Sequence, residues 1–291
     1  MSTVKLVIET DIFSDVDDVG ALALANVFMN YGDAELMAVS VNTHSRWGAP
    51  MAQLVNEFYG HDGVPVGGIL PLDDSVAERD YAKCVVQRFG HALDVSDAYG
   101  VLRDAFTSTS DEKITLVSIG FYQNLVRLLD ELGADETSRM VERTVVMAGM
   151  FPAGYEFNIT EYPAVSQRFV NGWPGEIVFV GWEVGSDVIT GGFSNWPKHD
   201  SNPVAAAYSA FLGSDPGRPS WDPITVDVAV GTSTGFYDLS EPGWVHVDSD
   251  GRTWWEPDEN GRHRYVKLAA PIQAVAEHID SLLSAPPRTE V

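Results

Sequence analysis

The segment IETDIFSDVDDVGALALA (residues 8–25) joins a strand-like apolar run to a helix-like one, with five carboxylates crowded at the junction. Like charges at this spacing repel each other unless solvent, protons or a cation neutralises them. A helix N-terminus accommodates one or two acidic residues as caps or through its dipole, which leaves the rest unexplained. Oxygen ligands of this kind suit a hard divalent cation. The segment therefore predicts a metal site, with capping plus solvated charge as the alternative. The five residues are Glu9, Asp11, Asp15, Asp17 and Asp18.

The rest of the chain alternates between strand-like and helix-like segments. Short apolar runs rich in β-branched residues predict strands at 4–10, 34–42, 64–69, 114–120, 144–149 and 176–181. Segments with helical periodicity lie between or after them, at 20–30, 50–60, 121–133, 202–213 and 271–283. This order predicts an α/β fold with a mostly parallel central sheet and helices on both faces, in a Rossmann-like topology. Such sheets bind ligands at the carboxyl ends of their strands, which is where the acidic segment falls.

The region 232–268 departs from this alternation. Its residues alternate between polar and apolar around Asp250 and Gly251, a pair typical of hairpin turns, and HRYVKL (263–268) predicts a further strand. No linker-like segment precedes the region. We therefore expect a small β-hairpin appendage on a single domain that spans 1–291.

The composition is globular and strongly acidic. Hydrophobic residues make up 45% of the chain, and 42 acidic against 18 basic residues give a net charge of −24. This charge repels phosphate backbones and anionic lipid, so we expect neither nucleic acid nor a membrane as partner. The sequence contains no secretory signal and no apolar run of membrane-spanning length, which predicts a cytoplasmic protein.

Four blocks of the sequence, in the same order, resemble the inosine-uridine nucleoside hydrolase family. The blocks are TDIFSDVDDVGALALA (10–25), ITLVSIGFYQNLVRLL (114–129), VVMAGM followed by EFNI (145–150 and 156–159) and RPSWDPITV (218–226). The resemblance implies a divergent member with the fold of that family. It also implies a Ca²⁺-dependent hydrolase that cleaves the N-glycosidic bond of ribonucleosides, or of a related riboside, to free base and ribose. The substrate would be a small nucleoside, and we expect a homo-oligomer, either dimer or tetramer.

The resemblance assigns metal ligands and a general base. The implied ligands of Ca²⁺ are the carboxylates of Asp11, Asp18 and Asp222 and the main-chain carbonyl of Ile119. Asp17, the first residue of the Asp-Asp pair, becomes the base that deprotonates the attacking water. The preceding loop is two residues longer than in the common motif. This makes Asp15 an additional carboxylate that could touch the metal or its water, and a second candidate for the catalytic set.

Further residues are assigned to the ribose. Glu156 and Asn158 match family positions that hydrogen-bond the sugar. Asn42, at the end of the second predicted strand, matches a sugar-side asparagine. Together these residues would hold the ribose in place, which lowers the entropic part of the barrier.

The leaving base lacks an obvious acid. Trp221 stands where purine-handling relatives carry a histidine, and an indole can stack on a base but cannot protonate it near neutral pH. His44, just after the second predicted strand, is a candidate acid, with a structural or solvated role as the alternative. Glu183 ends another predicted strand and is expected to line the substrate pocket.

Two other functions fit parts of the sequence. The protein could bind calcium and ribose without turnover, because a pocket does not guarantee chemistry. Alternatively, the segment from Asp15 to Val19 matches the Asp-x-Asp-x-Val motif of haloacid-dehalogenase-like phosphatases, with Asp15 as nucleophile and Mg²⁺ as cofactor. That motif should directly follow a strand, whereas Asp15 comes several residues later.

Overall fold

The computed structural model describes residues 3–12, 15–76, 81–108, 112–192 and 201–287. The strands are β1 Val4–Thr10, β2 Ala34–Val41, β3 Val66–Gly68, β4 Ser96–Asp97, β5 Ile114–Ile119, β6 Val141–Met147, β7 Ala153–Tyr155, β8 Ile177–Val180, β9 Ile189–Thr190, β10 Arg218–Pro219, β11 Tyr237–Leu239, β12 Gly243–Val247, β13 Arg252–Pro257 and β14 His263–Leu268. The helices are α1 Asp17–Tyr31, α2 Gly48–Phe58, α3 Tyr81–Phe89, α4 Ala98–Ser108, α5 Gln123–Leu132, α6 Ala134–Met140, α7 Phe157–Thr160, α8 Pro163–Gly172, α9 Trp182–Gly185, α10 Pro203–Leu212, α11 Trp221–Val230 and α12 Ile272–Leu283.

One mixed sheet of 12 strands organises the described residues. Its order is β4-β3-β2-β1-β5-β6-β8-β14-β12-β13-β7, and β11 pairs with β14. The strands from β4 to β14 in this order are parallel, whereas β12, β13, β7 and β11 pair antiparallel. The predicted α/β class and mostly parallel sheet are confirmed.

The central strand β1 is covered by side chains on both faces. Leu6 and Ile8 belong to one hydrophobic core and Val7 to another, because successive side chains of a strand point to opposite faces. The first core packs α1, α2 and α11 against the sheet, and the second packs α4, α5 and α8 against the other face. A strand buried in this way reads as a continuous apolar run rather than an alternating one.

Helix α1 lies close to α10 and α11 because of a glycine. A Cβ at Gly20 would collide with the Tyr208 hydroxyl and would lie 3.0 Å from the Pro223 side chain. The helix ends at Gly32, whose φ of 81° suits a residue without a side chain. This close packing brings the first turn of α11, which carries Asp222, next to the first turn of α1.

The region 232–268 forms the predicted strands. β12 and β13 pair as an antiparallel hairpin, while β14 lies parallel to β8. The predicted hairpin is therefore present, and it joins the central sheet through β14. The physical reason is that β14 supplies backbone partners to β8, which would otherwise expose an unpaired edge.

The boundaries of the predicted elements agree with the structure. Each predicted strand and helix is present, and its ends differ from the observed ones by at most three residues. Among the described helices, none combines the length and the apolar character needed to cross a bilayer.

Candidate active site

A cavity of about 430 Å³ opens at the carboxyl ends of β1, β5 and β6. Its acidic part is lined by five carboxylates, from Asp11, Asp15, Asp17, Glu156 and Asp222. Its aromatic part is lined by Tyr155, Phe157, Trp182, Phe211 and Trp221. The remaining lining residues are Ile119, Met147, Asn158 and Arg218. Most of the residues predicted for the site therefore meet in one place, as the parallel sheet requires.

The crossover from β1 to α1 places two carboxylates at different depths. Asp11 directly follows β1 and reaches the cavity. Asp18 lies in the first turn of α1, is buried, and accepts a hydrogen bond from the Thr10 hydroxyl. Asp18 is not among the residues that line the cavity. The crossover thus presents Asp11 to the cavity and holds Asp18 behind it.

Asp17 joins the two helices that carry the site. Its Oδ2 accepts N–H bonds from Trp221 at 3.3 Å and from Asp222 at 3.4 Å, the first two residues of α11. Its Oδ1 accepts a bond from Arg218 Nε at 3.2 Å. The Asp17 carboxylate therefore caps the N-terminus of α11, where the helix dipole favours negative charge.

Three carboxylates form a tight group in the cavity. Oxygen atoms of Asp15, Asp17 and Asp222 all lie within 4.8 Å of one another. The guanidinium of Arg218 pairs with both Asp15 and Asp17. Of these three residues, Asp222 belongs to the predicted set of calcium ligands. Asp15 and Asp17 were predicted as members of the catalytic set. The three oxygens satisfy the chemistry of a hard cation, and Arg218 already supplies one positive charge.

Glu156 and Asn158 reach the cavity from the short helix α7. The Glu156 carboxylate caps this helix by accepting N–H bonds from Asn158 at 2.7 Å and Ile159 at 3.3 Å, and it accepts a third from Gly149 at 3.1 Å. The Asn158 amide donates to the main-chain oxygen of Met147 at 3.1 Å, at the end of β6. Backbone contacts thus fix the orientation of both side chains.

The carboxylates of the site are hard to ionise. Burial and the nearby charge of Asp15 raise the pKa of Asp17 to about 7, although the Arg218 guanidinium opposes the shift. Burial, reinforced by neighbouring carboxylates, also raises the pKa of Asp11, Asp18 and Asp222 well above its usual range. Such mutual repulsion is what a bound dication relieves.

Glu156 and Glu9 show the effect of burial more simply. Burial raises the pKa of each to about 7, and hydrogen-bond donors oppose the shift in both cases. For Glu156 the donors are backbone N–H groups, and for Glu9 they are the side chains of Asn42, Ser40 and Asn124.

Three predicted site residues point elsewhere. Asn42 is buried beneath the cavity, where its amide donates to Glu9 Oε2 at 2.6 Å and to the Phe121 carbonyl at 2.7 Å. His44 is hydrogen-bonded through Nδ1 to the Pro71 carbonyl at 2.9 Å. The Glu183 carboxylate accepts the Phe151 N–H at 3.0 Å. None of the three lines the cavity, because each side chain is held by a neighbouring backbone group.

A glycine allows the three strand ends to converge. A Cβ at Gly120, just after β5, would lie 2.5 Å from the Asp11 nitrogen and 2.9 Å from Asn42 Oδ1. Any larger residue would push the end of β1 away from the ends of β2 and β5. The absence of a side chain at Gly120 therefore lets Asp11 lie close to the end of β5, where Ile119 lines the cavity.

The sequence did not single out Arg218 or most of the aromatic residues that line the cavity, which together form its aromatic wall. Arg218 stands four residues before Asp222 in the block RPSWDPITV, so its position near a predicted ligand was the available signal. Its guanidinium carbon lies 5.1 Å from the centre of the Trp221 ring and 5.4 Å from that of Phe211. Trp182 and Phe157 carried no comparable signal, because exposed aromatics are common outside sites.

Comparison with known proteins identifies the fold through structure alone. No protein-family model and no curated protein matches the chain. An inosine-uridine preferring nucleoside hydrolase from Bacillus anthracis has a TM-score of 0.69 and 18% identity, with 97% of this chain and 99% of that one covered. An inosine-guanosine nucleoside hydrolase has a TM-score of 0.70 and 16% identity, with 96% and 98% covered.

A third solved structure is not described as a hydrolase. It is the type III effector protein XopQ, complexed with adenosine diphosphate ribose, with a TM-score of 0.68 and 14% identity over 97% of this chain and 92% of that one. The protein described here therefore has the nucleoside hydrolase fold. The resemblance carried by the four sequence blocks is confirmed at that level.

Proposed function

We propose that this protein is a calcium-dependent hydrolase that cleaves the N-glycosidic bond of ribonucleosides or of a related riboside, releasing base and ribose. One observation carries the proposal. Within a nucleoside hydrolase fold, the β1–α1 crossover, the cap of α7 and the first turn of α11 direct carboxylates into a single cavity. Glycoside cleavage passes through a positively charged, oxocarbenium-like state, which nearby carboxylates stabilise.

The donor set fits a hard divalent cation. The residues that would hold Ca²⁺ are Asp11 and Asp222, which line the cavity, the main-chain oxygen of Ile119, and Asp18, which would offer from behind the cavity the carboxylate oxygen that does not accept from Thr10. The crowding that raises the pKa of these carboxyl groups also favours a doubly charged partner. When bound, the ion would anchor sugar hydroxyls and make a nearby water more acidic.

The contacts favour Asp11 over Asp17 as the general base. Asp17 accepts hydrogen bonds from Arg218, Trp221 and Asp222, and each of these bonds stabilises its ionised form. Among the described residues, the Asp11 carboxylate has one donor, its own backbone N–H, against three for Asp17. A carboxylate with fewer donors takes a proton from water more readily. We therefore assign proton removal to the Asp11 carboxylate oxygen that would not bind the ion, and the capping of α11 to Asp17.

The remaining polar residues would orient the sugar. Asn158 and Glu156 face the cavity from α7 and are held by backbone groups. Pre-set hydrogen-bonding groups reduce the entropy lost when the ribose reaches its reactive geometry. The indole of Trp221 and the ring of Trp182 offer flat surfaces against which a base can stack.

The deciding experiment measures ribose release. The purified protein is incubated with a panel of purine and pyrimidine ribonucleosides and Ca²⁺, and free ribose is quantified. We expect release that EDTA abolishes and added calcium restores. Absence of release from every compound, with calcium bound, would contradict the proposal.

Two variants then separate the candidate bases. Loss of a general base costs about 10²- to 10⁴-fold in rate, so Asp11→Asn, whose amide keeps one oxygen for the ion, should lower kcat by that factor while the calcium stoichiometry measured by titration calorimetry stays unchanged. Asp17→Asn should lower kcat less, because the amide keeps one oxygen to accept the N–H bonds of α11. A larger loss for Asp17→Asn would restore Asp17 as the base. Glu161→Gln, which changes an exposed carboxylate just beyond α7, is the matched control.

A second candidate function is binding of a ribose-containing ligand without turnover. The observation in its favour is that Arg218 already pairs with Asp15 and Asp17. The effector XopQ, complexed with adenosine diphosphate ribose, has a similar fold. Tight calorimetric binding of adenosine diphosphate ribose, with no ribose released from any nucleoside, would support this function instead.

A further inference from the structure

The aromatic wall of the cavity presents ring surface rather than hydrogen-bond donors. Trp182 is 42% exposed and Phe157 is 50% exposed, so both rings are open to a ligand. The rings of Trp182 and Trp221 have centroids 6.4 Å apart, at an interplanar angle of 34°. These rings form a flat apolar boundary next to the carboxylates.

The indole donor of Trp221 is already used. Its Nε1–H donates to the main-chain oxygen of Trp182 at 2.6 Å. An indole has no other donor, so Trp221 offers a bound base its π surface alone. Among the described residues that line the cavity there is no histidine, and the hydroxyl of this wall belongs to Tyr155. The wall is therefore poorly equipped to protonate a neutral leaving base.

The charge of the cavity favours a cation. Five carboxylates and one guanidinium line it, so a bound divalent ion would still leave an excess of negative charge. Arg218 forms ion pairs with Asp15 and Asp17, so its positive charge is already compensated by these carboxylates. The same guanidinium lies 5.1 Å from the centre of the Trp221 ring, which shows that this wall already holds one cation against an aromatic face.

We propose that the preferred substrates are ribosides whose base carries a fixed positive charge on the ring nitrogen bonded to C1′, as in an N-ribosylpyridinium. This inference rests on the proposed hydrolase function and names its substrate class. The electron-rich face of Trp182 and the carboxylates would together bind the charged ring.

The chemistry of such a substrate needs no acid. The water oxygen bonds to C1′ as the C1′–N bond breaks, and the electron pair of that bond returns to the ring nitrogen. The base leaves as a neutral molecule. The water gives up one proton to the Asp11 carboxylate, and the products are ribose, the neutral base and that proton. A neutral nucleoside would instead expel an anionic base or require a proton donor.

The test compares nicotinamide riboside, whose pyridinium ring is permanently charged, with uridine and inosine, which are neutral. Ribose release is measured with Ca²⁺ at one pH, and each kcat/KM is divided by the uncatalysed hydrolysis rate of the same compound. This division removes the intrinsic reactivity of the cation. We expect a remaining preference for the charged riboside of about tenfold, between the effect of an exposed cation–π contact and that of a desolvated one.

A variant locates the preference. Trp182→Leu should raise KM for nicotinamide riboside about tenfold more than it raises KM for uridine, because both bases lose a stacking surface but only the charged ring also loses a cation–π contact. Tyr31→Leu, which changes an exposed aromatic at the opposite end of α1, should leave both unchanged. A smaller effect of Trp182→Phe than of Trp182→Leu would tie the result to the aromatic face.

The outcomes are separable. Neutral nucleosides cleaved with an equal or higher corrected kcat/KM would overturn the inference and leave the proposed function intact. Equal losses for charged and neutral substrates in Trp182→Leu would also overturn it. Failure to release ribose from any compound would overturn both proposals together.

Discussion

Arg218 Nε lies 3.2 Å from Asp17 Oδ1, although 201 positions separate the two residues. The same guanidinium pairs with Asp15. The Arg218 side chain is 23% exposed and that of Asp17 is 2% exposed, so the pair is largely shielded from solvent. Because Asp17 also caps α11, this ion pair links the β1–α1 crossover to the helix that carries Asp222.

The first prediction concerns this ion pair. Arg218→Gln removes the positive charge between two carboxylates and leaves them to repel each other. We expect the free energy of unfolding, measured by urea denaturation without metal, to fall by about 2 kcal/mol, below the cost for a fully buried pair because Arg218 is partly exposed. Added calcium should restore part of the loss. Arg103→Gln, which breaks an exposed pair with Asp104, is the control and should leave the free energy of unfolding unchanged.

The second prediction concerns the convergence of strand ends. Gly120→Ala places a Cβ 2.5 Å from the Asp11 nitrogen, so β1 must shift. We expect a loss of about 1–3 kcal/mol in the free energy of unfolding, together with weaker calcium binding. Gly63→Ala is the matched control, because a Cβ there would meet nothing within 4 Å. Equal free energies of unfolding for Gly120→Ala and Gly63→Ala would show that the strand ends can accommodate a Cβ at position 120.

The third prediction concerns metal binding. Asp222→Ala should abolish stoichiometric calcium binding in isothermal titration calorimetry and remove the calcium-dependent rise in Tm, since binding to the folded state alone stabilises it. Activity should disappear with it. Asp215→Ala, at an exposed position before the same helix, should bind calcium normally. Unchanged calcium stoichiometry in Asp222→Ala would remove Asp222 from the ligand set.

The fourth prediction concerns acid stability. Burial, with a smaller contribution from Arg262, lowers the pKa of His263 from 6.5 to about 3. Its Nδ1 accepts the Val245 N–H at 3.0 Å, a bond that protonation would remove. The unfolded chain therefore takes up a proton near pH 6.5 and the folded chain does not. This contribution to stability is complete above pH 6.5 and is lost as the pH falls toward 3.

The size of the effect can be measured against a variant. Linkage predicts that the shifted pKa of His263 lowers the free energy of unfolding by about 2 kcal/mol as the pH falls from 7.5 to 5. His263→Asn keeps an acceptor for the Val245 N–H without a titratable ring. Its free energy of unfolding should therefore fall less over this interval than that of the wild type. Identical pH profiles for the two proteins would show that His263 does not titrate differently on unfolding.

Much of the fold was predictable because strand and helix signals are local. The run VKLVIET is apolar throughout, and it forms β1 over the same residues. The acidic segment after it was placed at the carboxyl edge of the sheet, where Asp11, Asp15 and Asp17 line the cavity. The single domain, the homo-oligomer and the cytoplasmic location stay predictions.

The roles of individual side chains were less accessible. His44 and Glu183 follow predicted strands, yet each is hydrogen-bonded to a nearby backbone group outside the cavity. Loop side chains adopt orientations set by their immediate neighbours, and a sequence pattern does not specify those neighbours.

The sequence by itself determined the order of strands and helices, the excess of negative charge and the edge of the sheet where carboxylates gather. Hydrophobic periodicity and composition are properties of residues close together in the chain, so they can be recognised from the sequence without knowledge of the fold. The tertiary structure alone decided that Arg218 pairs with Asp15 and Asp17, that Asp17 caps α11, and that β14 extends the sheet beside β8. Each of these contacts joins residues far apart in the chain, and only the packing of α1 against α11 and the pairing of strands bring them together.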